Sequence, residues 1–210
     1  MNHNAFASLR AAFPSQGDRI AIELLNAAGV PLRYSWRDLE RATAMLAHLL
    51  GGLSLAPASS VAFQVEPSVE AVALCLAVLR AGHVAMPLSM SLPNDVLAEV
   101  MAASRPAVVV CDPKRFGEVS KLAFLSGSRA VYTLSDTRSG SLIDRAAHCA
   151  DDHEPVVRDV SDPAAVVYQA GAAASFALRA LSHGELLAEL AGLHEAWAGD
   201  NWVVRQLAKL

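Results

Sequence analysis

Apolar positions along the chain change period several times, and each change marks an element. Arg19 to Leu25 and Pro31 to Tyr34 read as two short strands around Asn26-Ala-Ala-Gly29, a hairpin signal. Ser35-Trp-Arg-Asp38 has capping-box form, a hydroxyl followed three residues later by an acid. The helix behind it puts Trp36, Leu39, Ala42, Leu46, Leu49 and Leu50 on one stripe, and Gly51-Gly52 ends it. A rhythm then begins. Apolar runs start at Val61 (VAFQV), Val84 (VAMPL), Ala107 (AVVVC) and Ala130 (AVYTL), each 23 residues after the last. No sequence repeat accompanies them, so the spacing predicts short parallel strands alternating with helices. Ser68 to Arg80 is apolar nearly all round, as a helix buried on both sides should be. Pro93 to Ser104 carries Leu97, Val100 and Met101, and Asp112-Pro113 is a helix start. Cys149 to Pro163 is polar and acidic and reads as a surface connection. A strand at Ala164 to Tyr168 leads into an Ala-rich loop. A last helix opens with the box Ser182-His-Gly-Glu185 and aligns Leu186, Leu190, Leu193 and Trp197. The pattern predicts an α/β fold: a mostly parallel sheet with helices on both faces, right-handed crossovers, one domain over 1–199 and a tail over 200–210.

Composition adds exclusions. Of 210 residues, 53% are hydrophobic and 18% charged, ample apolar material for a core. A net charge of −4 argues against a nucleic-acid binder, which needs a basic face. Cys75, Cys111 and Cys149 lie far apart with no CxxC, which fits a reducing compartment and no zinc ribbon. The N-terminus lacks the pattern of a signal peptide. The longest uncharged stretch, Ala42 to Val65, is broken by His48, Gly51, Gly52 and Pro57, so it makes a poor membrane span. The expectation is a cytoplasmic protein that engages neither nucleic acid nor membrane.

Isolated chemical candidates have simpler readings. His148-Cys-Ala-Asp-Asp-His153-Glu154 lacks zinc-ligand spacing and reads as a solvated acidic loop, so no metal is expected. His183 and His194 share a helix side without HExxH. Cys75 and Cys111 sit in apolar runs as core thiols. Ser126-Gly-Ser128 and Ser139-Gly-Ser141 are loops rather than nucleophile elbows, and Asp112 is a cap.

Three stretches together carry a family pattern: YSWRDLERATAMLAHLL, VAFQVEPSVEAVALCLAVLRAGHVAMPL and AVVVCDPKRFGEVSKLAF. They resemble the N-terminal part of an adenylate-forming acyl-CoA synthetase of the AMP-dependent synthetase/ligase superfamily. Within it, the third stretch and VYTLSDTRSGSLIDRA are most similar to malonyl-CoA synthetases. The resemblance runs from Ala5 to His183. It implies a partial N-terminal domain of the adenylate-forming ligase fold. For the parent family it also implies a two-step reaction using ATP, Mg²⁺ and coenzyme A, through an acyl-adenylate.

That reaction needs a phosphate cradle, which the family writes Y-T-S-G-T-T-G-x-x-K-G-A-x-L-S-H. Here Tyr168, Gly171, Leu181, Ser182 and His183 keep the frame. Gln169, Ala170, Ala172 and Ala173 replace hydroxyl residues, Ala174 and Leu178 replace glycines, and Ala177 replaces the lysine. A hydrogen bond to a charged group is worth about 1.5–3 kcal/mol, so losing several removes most triphosphate affinity. Arg179 stands two positions past the lysine. As an alternative, Gly171–Ser175 could form a weak anion-binding turn at a helix start.

The resemblance thus implies a truncated relative of malonyl-CoA synthetase with no catalytic residues of its own, no bound cofactor, and Tyr168, Gly171, Ser182 and His183 as remnants. Two other readings stand beside it. One is an interaction or oligomerisation module that self-associates, or binds a ligase partner, through an uncovered apolar face. The other is one part of a split acyl-CoA ligase needing a separately encoded remainder.

Overall fold

Each run of the 23-residue rhythm is a strand, and all four lie in one sheet. The structure is a computed structural model that describes residues 2–25, 28–171 and 176–192. Helix α1 (Ala5–Ala11), capped by Asn4, has no counterpart in the elements expected from the pattern. Strands β1 (Ile20–Leu25) and β2 (Pro31–Ser35) pair antiparallel as the expected hairpin. Helix α2 (Trp36–Gly51) follows, with both halves of the Ser35–Asp38 box formed. Then come β3 (Ser60–Gln64), α3 (Val69–Arg80), β4 (Val84–Pro87), α4 (Asn94–Ser104) and β5 (Val108–Cys111). Asp112 accepts from the Lys114 N–H at 2.8 Å and caps a short 3-10 turn, which leads into α5 (Phe116–Ser126). The order continues with β6 (Ala130–Thr133), α6 (Ser141–Ala146), β7 (Pro163–Ala170), β8 (Phe176–Ser182) and α7 (His183–Gly192).

The sheet order is β6-β5-β3-β4-β7-β8, parallel except for the antiparallel β7–β8 pair. Ser60 lies opposite Val84, Val61 opposite Val108 and Val108 opposite Ala130, so the rhythm keeps the strand starts level. Alternate strand residues feed two cores. Val61, Phe63, Val108 and Val110 face α1, α2, α3, α6 and α7, whereas Ala62, Met86, Val109 and Cys111 face α4 and α5. Helices on both faces explain why β3, β4 and β5 read as unbroken apolar runs. All 12 residues of α3 are buried, Glu70 and Arg80 included.

One expectation changes. The Ala-rich loop after β7 leads into a strand, β8, rather than toward a helix. The acidic connection before Pro163 runs on the surface as expected, as a strap held to the body. Its Val156 N–H donates to the Arg80 carbonyl at 2.9 Å, and Arg80 Nε donates to the His153 carbonyl at 2.6 Å. Asn4 Nδ2 donates to the carbonyls of Leu79 (2.7 Å) and Val156 (2.9 Å), and the His3 N–H to that of Arg158 (2.9 Å). The last turn of α3 leaves carbonyls without helical donors, and Asn4 and Val156 supply them. Leu193, His194, Trp197 and the expected boundary at 199 lie outside the described residues.

Candidate functional site

In a doubly wound sheet, ligands bind beyond the carboxyl ends of neighbouring strands whose helices leave toward opposite faces. Here α3 leaves β3 toward one core and α4 leaves β4 toward the other, so the crevice opens past Gln64 and Pro87. Gln64 is buried. Its Nε2 donates to the Ser89 carbonyl at 2.8 Å, and its Oε1 has no partner among the described residues. Ser89 Oγ and Ser91 Oγ stand 2.8 Å apart on the same rim. Strand β7 runs beside β4, with Ala165 opposite Ala85. Carried forward, that register puts Val167 level with Pro87. The β7–β8 hairpin therefore overhangs the crevice by three residues, roughly 10 Å.

Two of the four remnant residues, Tyr168, Gly171, Ser182 and His183, belong to this overhang. Tyr168 stacks on Phe176, with ring centroids 5.9 Å apart and planes at 25°, and packs against the core under α4 and α5. Gly171 follows β7 and is exposed at the tip. The other two are elsewhere. Ser182 lies opposite Pro163, eight positions along an extended strand from Gly171, or roughly 26 Å away. Its Oγ accepts from the Glu185 N–H at 3.2 Å and its N–H donates to Glu185 Oε2 at 2.8 Å, contacts that hold the Glu185 carboxyl below the usual carboxylate range. His183 is fully buried. Its Nδ1 accepts from the Ala5 N–H at 3.0 Å, so the ring proton sits on Nε2, which has no partner among the described residues. Burial, and then the Arg158 charge, push its pKa below that of an ordinary histidine. Its work is to tether α1.

Among the described residues, the overhang offers little that would hold an anion. Arg179 NH2 is 2.7 Å from Glu189 Oε1, so the cation nearest the lost lysine is already ion-paired. Ala177 pairs with Gln169 across the ribbon, and Leu178 packs beside Tyr168. The turn residues 172–175 lie outside the described residues, but the next element along the chain is strand β8. The helix expected after that turn is therefore corrected to a strand, and the anion-binding turn itself falls on residues outside those described.

The remaining candidates have structural partners. In the acidic strap, Asp151 pairs with Arg41 at 2.9 Å, Glu154 with Arg10 at 2.9 Å, and the Asp152 carbonyl contacts His48 Nε2 at 2.9 Å. Among the described residues no three His, Cys, Asp or Glu groups are placed to hold a metal. Burial pushes the Cys75 thiol up to about 12 and the Cys111 thiol up to about 11. Ser126 Oγ donates to the Ala123 carbonyl at 3.0 Å.

Comparison with known proteins decides the family. The profile of the AMP-binding enzymes matches residues 9–206, nearly the whole chain. The chain belongs to the AMP-binding enzyme family. ATP-bound MatB from Rhodopseudomonas palustris, a malonyl-CoA synthetase, is 31% identical with a TM-score of 0.81; the match covers 94% of this chain and 38% of that one. An acyl-CoA synthetase from Brucella canis, at 18% identity and a TM-score of 0.74, shares the fold over 90% of this chain. Among curated proteins, the hybrid PKS-NRPS synthetase pydA from an Acremonium species is 26% identical over 209 residues, which are 93% of this chain and 5% of that protein. The chain therefore spans well under half of the AMP-binding relatives it matches. Its α/β architecture is that of the N-terminal part of the adenylate-forming fold.

Sequence reasoning missed Gln64. The signal was present: one amide closes the apolar run VAFQV at the carboxyl end of a strand, where polar side chains face ligands rather than core. It also missed Arg138, whose Nε lies 2.7 Å from a Glu70 oxygen, because those residues are far apart in sequence.

Proposed function

We propose that this chain, by itself, is a non-catalytic member of the acyl-CoA ligase family, derived from an enzyme that joined malonate or a similar small carboxylate to coenzyme A. The observation that carries this is the β7–β8 overhang. At the positions where the family places hydroxyls and a lysine, the chain has Gln169, Ala170, Ala172, Ala173 and Ala177, and its Arg179 is bound to Glu189. Two lost contacts to a triphosphate, at about 1.5–3 kcal/mol each, weaken binding at least a hundredfold. Calorimetric titration with Mg-ATP should give no micromolar binding, and malonate-dependent pyrophosphate exchange should stay at the buffer level. Micromolar affinity or exchange that rises with protein concentration would overturn the reading. Exchange that appears only when a separately encoded remainder is added would support the split-ligase alternative.

An interaction module is the second reading, and two features favour it. Among the described residues strand β8 ends the sheet, and ribbon edges accept further strands. On α5, Phe124 and Leu125 are 82% and 79% exposed. The described part of the last helix is less suited, because Leu186 is buried and Leu190 packs on the main core. Concentration-dependent size-exclusion chromatography separates this reading from a monomer. No helix among the described residues is long and apolar enough to cross a membrane. A cytoplasmic location belongs to the same proposal.

A further inference from the structure

Histidines gather at the strap before Pro163. Of the seven in the chain, His153 belongs to the strap, and His48, His83 and His183 face it. They mark two anchors. At the first, the His48 and His153 rings meet edge to face with centroids 4.8 Å apart. The charged or titratable groups facing His153 are His48, Arg80 and Glu154, and Glu154 is already paired with Arg10. At the second, Arg158 lies over Gly82, and its NH2 donates to the Gly82 carbonyl. His83 follows Gly82, and His183 opens α7. Both are buried, and both face Arg158; His183 also faces Asp162. The Ala5 N–H of α1 donates to His183 Nδ1, and Asn4 binds the Val156 carbonyl, so the same joint holds α1. His83 Nδ1, His153 Nδ1, His183 Nε2 and Arg158 Nε have no partner among the described residues.

Acid acts on both anchors in one direction. A proton on His183 Nδ1 sets two N–H groups against each other and breaks the bond to Ala5. A proton on His83 or His183 places a second positive charge toward Arg158, and one on His153 places a charge toward Arg80. Burial, more than those neighbours, pushes all three histidines below the ordinary value. The closed anchors therefore refuse protons that an open strap accepts below about pH 6.5. Closure is fully favoured above that pH and weakens as pH falls. The six strands of the sheet contain no histidine, so these protons bear on the strap and not on strand pairing. We propose that the strap and helix α1 form an acid-released latch: protonation of His83, His153 and His183 frees both while the sheet stays folded, and bares Phe6 and the last turn of α3. This device stands apart from the reading of the chain as a non-catalytic ligase relative.

Amide hydrogen exchange on the full chain, corrected for the intrinsic rate at each pH, reads the latch. Ala5 and Val156, whose N–H groups bond His183 and the Arg80 carbonyl, report on the joint; Val109 and Val110 report on the sheet. Each proton taken up on opening contributes up to about tenfold per pH unit below the free value. Opening at Ala5 and Val156 should therefore rise at least about tenfold from pH 7 to pH 5. At pH 5 both should exchange at least about tenfold faster than Val109 and Val110, because the latch opens without the sheet. His83→Asn, His153→Asn and His183→Asn together, the last keeping an acceptor for Ala5, should hold the rise below about threefold. A thermal melt at pH 7 establishes that this variant is folded, and the two comparisons on the parent need no variant. The proposal falls if opening at Ala5 and Val156 is the same at pH 7 and pH 5. It falls equally if these amides exchange no faster than the sheet at pH 5, since the strap would then leave only with the whole fold. A variant that opens with acid as the parent does would overturn the histidines as the trigger.

Discussion

Replacing Arg80 by methionine keeps the length and apolar stem of the side chain and removes its guanidinium. That guanidinium is 1% exposed. It donates to the His153 carbonyl (2.6 Å), the Glu40 carbonyl (3.0 Å), Thr43 Oγ1 (2.9 Å) and Glu40 Oε1 (2.9 Å), and it lies 4.9 Å over the Phe6 ring. Burial lowers its pKa, and the Glu40 charge opposes that shift. The variant strands the His153 carbonyl and takes one donor each from the Glu40 carbonyl, Thr43 Oγ1 and the Glu40 carboxylate, in the joint between α1, α2, α3 and the strap. Removing one partner of a buried, hydrogen-bonded pair costs about 3–5 kcal/mol. Glu40 retains Arg10, at 3.1 Å, so the lower half of that range is expected. At about 2–4 °C per kcal/mol for a domain of this size, the midpoint should fall by roughly 6–16 °C. Urea unfolding followed by far-UV circular dichroism measures the free energy directly, with Arg10→Ala as the half-buried control that should cost less than about 1 kcal/mol. A loss below about 1 kcal/mol for Arg80→Met would refute the reasoning, since the network would then contribute no more than a screened surface pair. Arg80→Lys should recover little, because an ammonium cannot reproduce the fork.

Three further outcomes are expected. The depressed pKa of His183 means that, below the ordinary value near 6.5, the unfolded chain takes up a proton the native ring refuses, so stability is lost as pH falls from 7 to 5, by at most about 1.4 kcal/mol per unit. Glu70, with its raised pKa, tilts the other way; the difference in slope between the parent and His183→Asn, which keeps an acceptor for the Ala5 N–H, isolates the histidine, and equal slopes would count against this assignment. Gly140→Ala should cost at least about 2 kcal/mol in a urea melt, because φ is 128° and a Cβ there would lie 2.3 Å from the Thr133 carbonyl oxygen. Phe124→Ser combined with Leu125→Ser should leave the melt within about 0.5 kcal/mol of the parent while reducing association in light scattering, and unchanged association would exclude α5 as the contact.

Local pattern carried the parallel part of the fold because each strand there is fixed by its own apolar run, and helices α2 and α3 by their own caps. Strand β8 escaped detection for the opposite reason. Phe-Ala-Leu-Arg-Ala-Leu-Ser, residues 176–182, is made largely of helix formers, and it is extended because seven residues of β7 pair with it. Helix α1, with 7 residues, is too short to announce itself and is held by Leu79, Val156 and His183 from far along the chain. The site divides in the same way. The frame positions Tyr168, Gly171, Ser182 and His183 could be read by register, but their separation could not. The sixteen residues fold back as a hairpin, and its long arm β8 carries Ser182 and His183 away from Tyr168 and Gly171.

The tethering of the N-terminus orders events in time. Asn4 and its bonding partner Val156 are 152 residues apart, and Ala5 and His183 are 178 apart. Contacts so distant in sequence make for slow folding. On a ribosome adding about 5–20 residues per second, helix α1 waits roughly 8–30 s for Val156 to be made, and longer for His183. Phe6 and α3 can meet once Leu79 and Arg80 are made, but the bonds that tether α1 are incomplete for that interval. Helix α1 is made before its tethers, and the nascent chain is most open to chaperones, or to other copies, before β7 and β8 emerge.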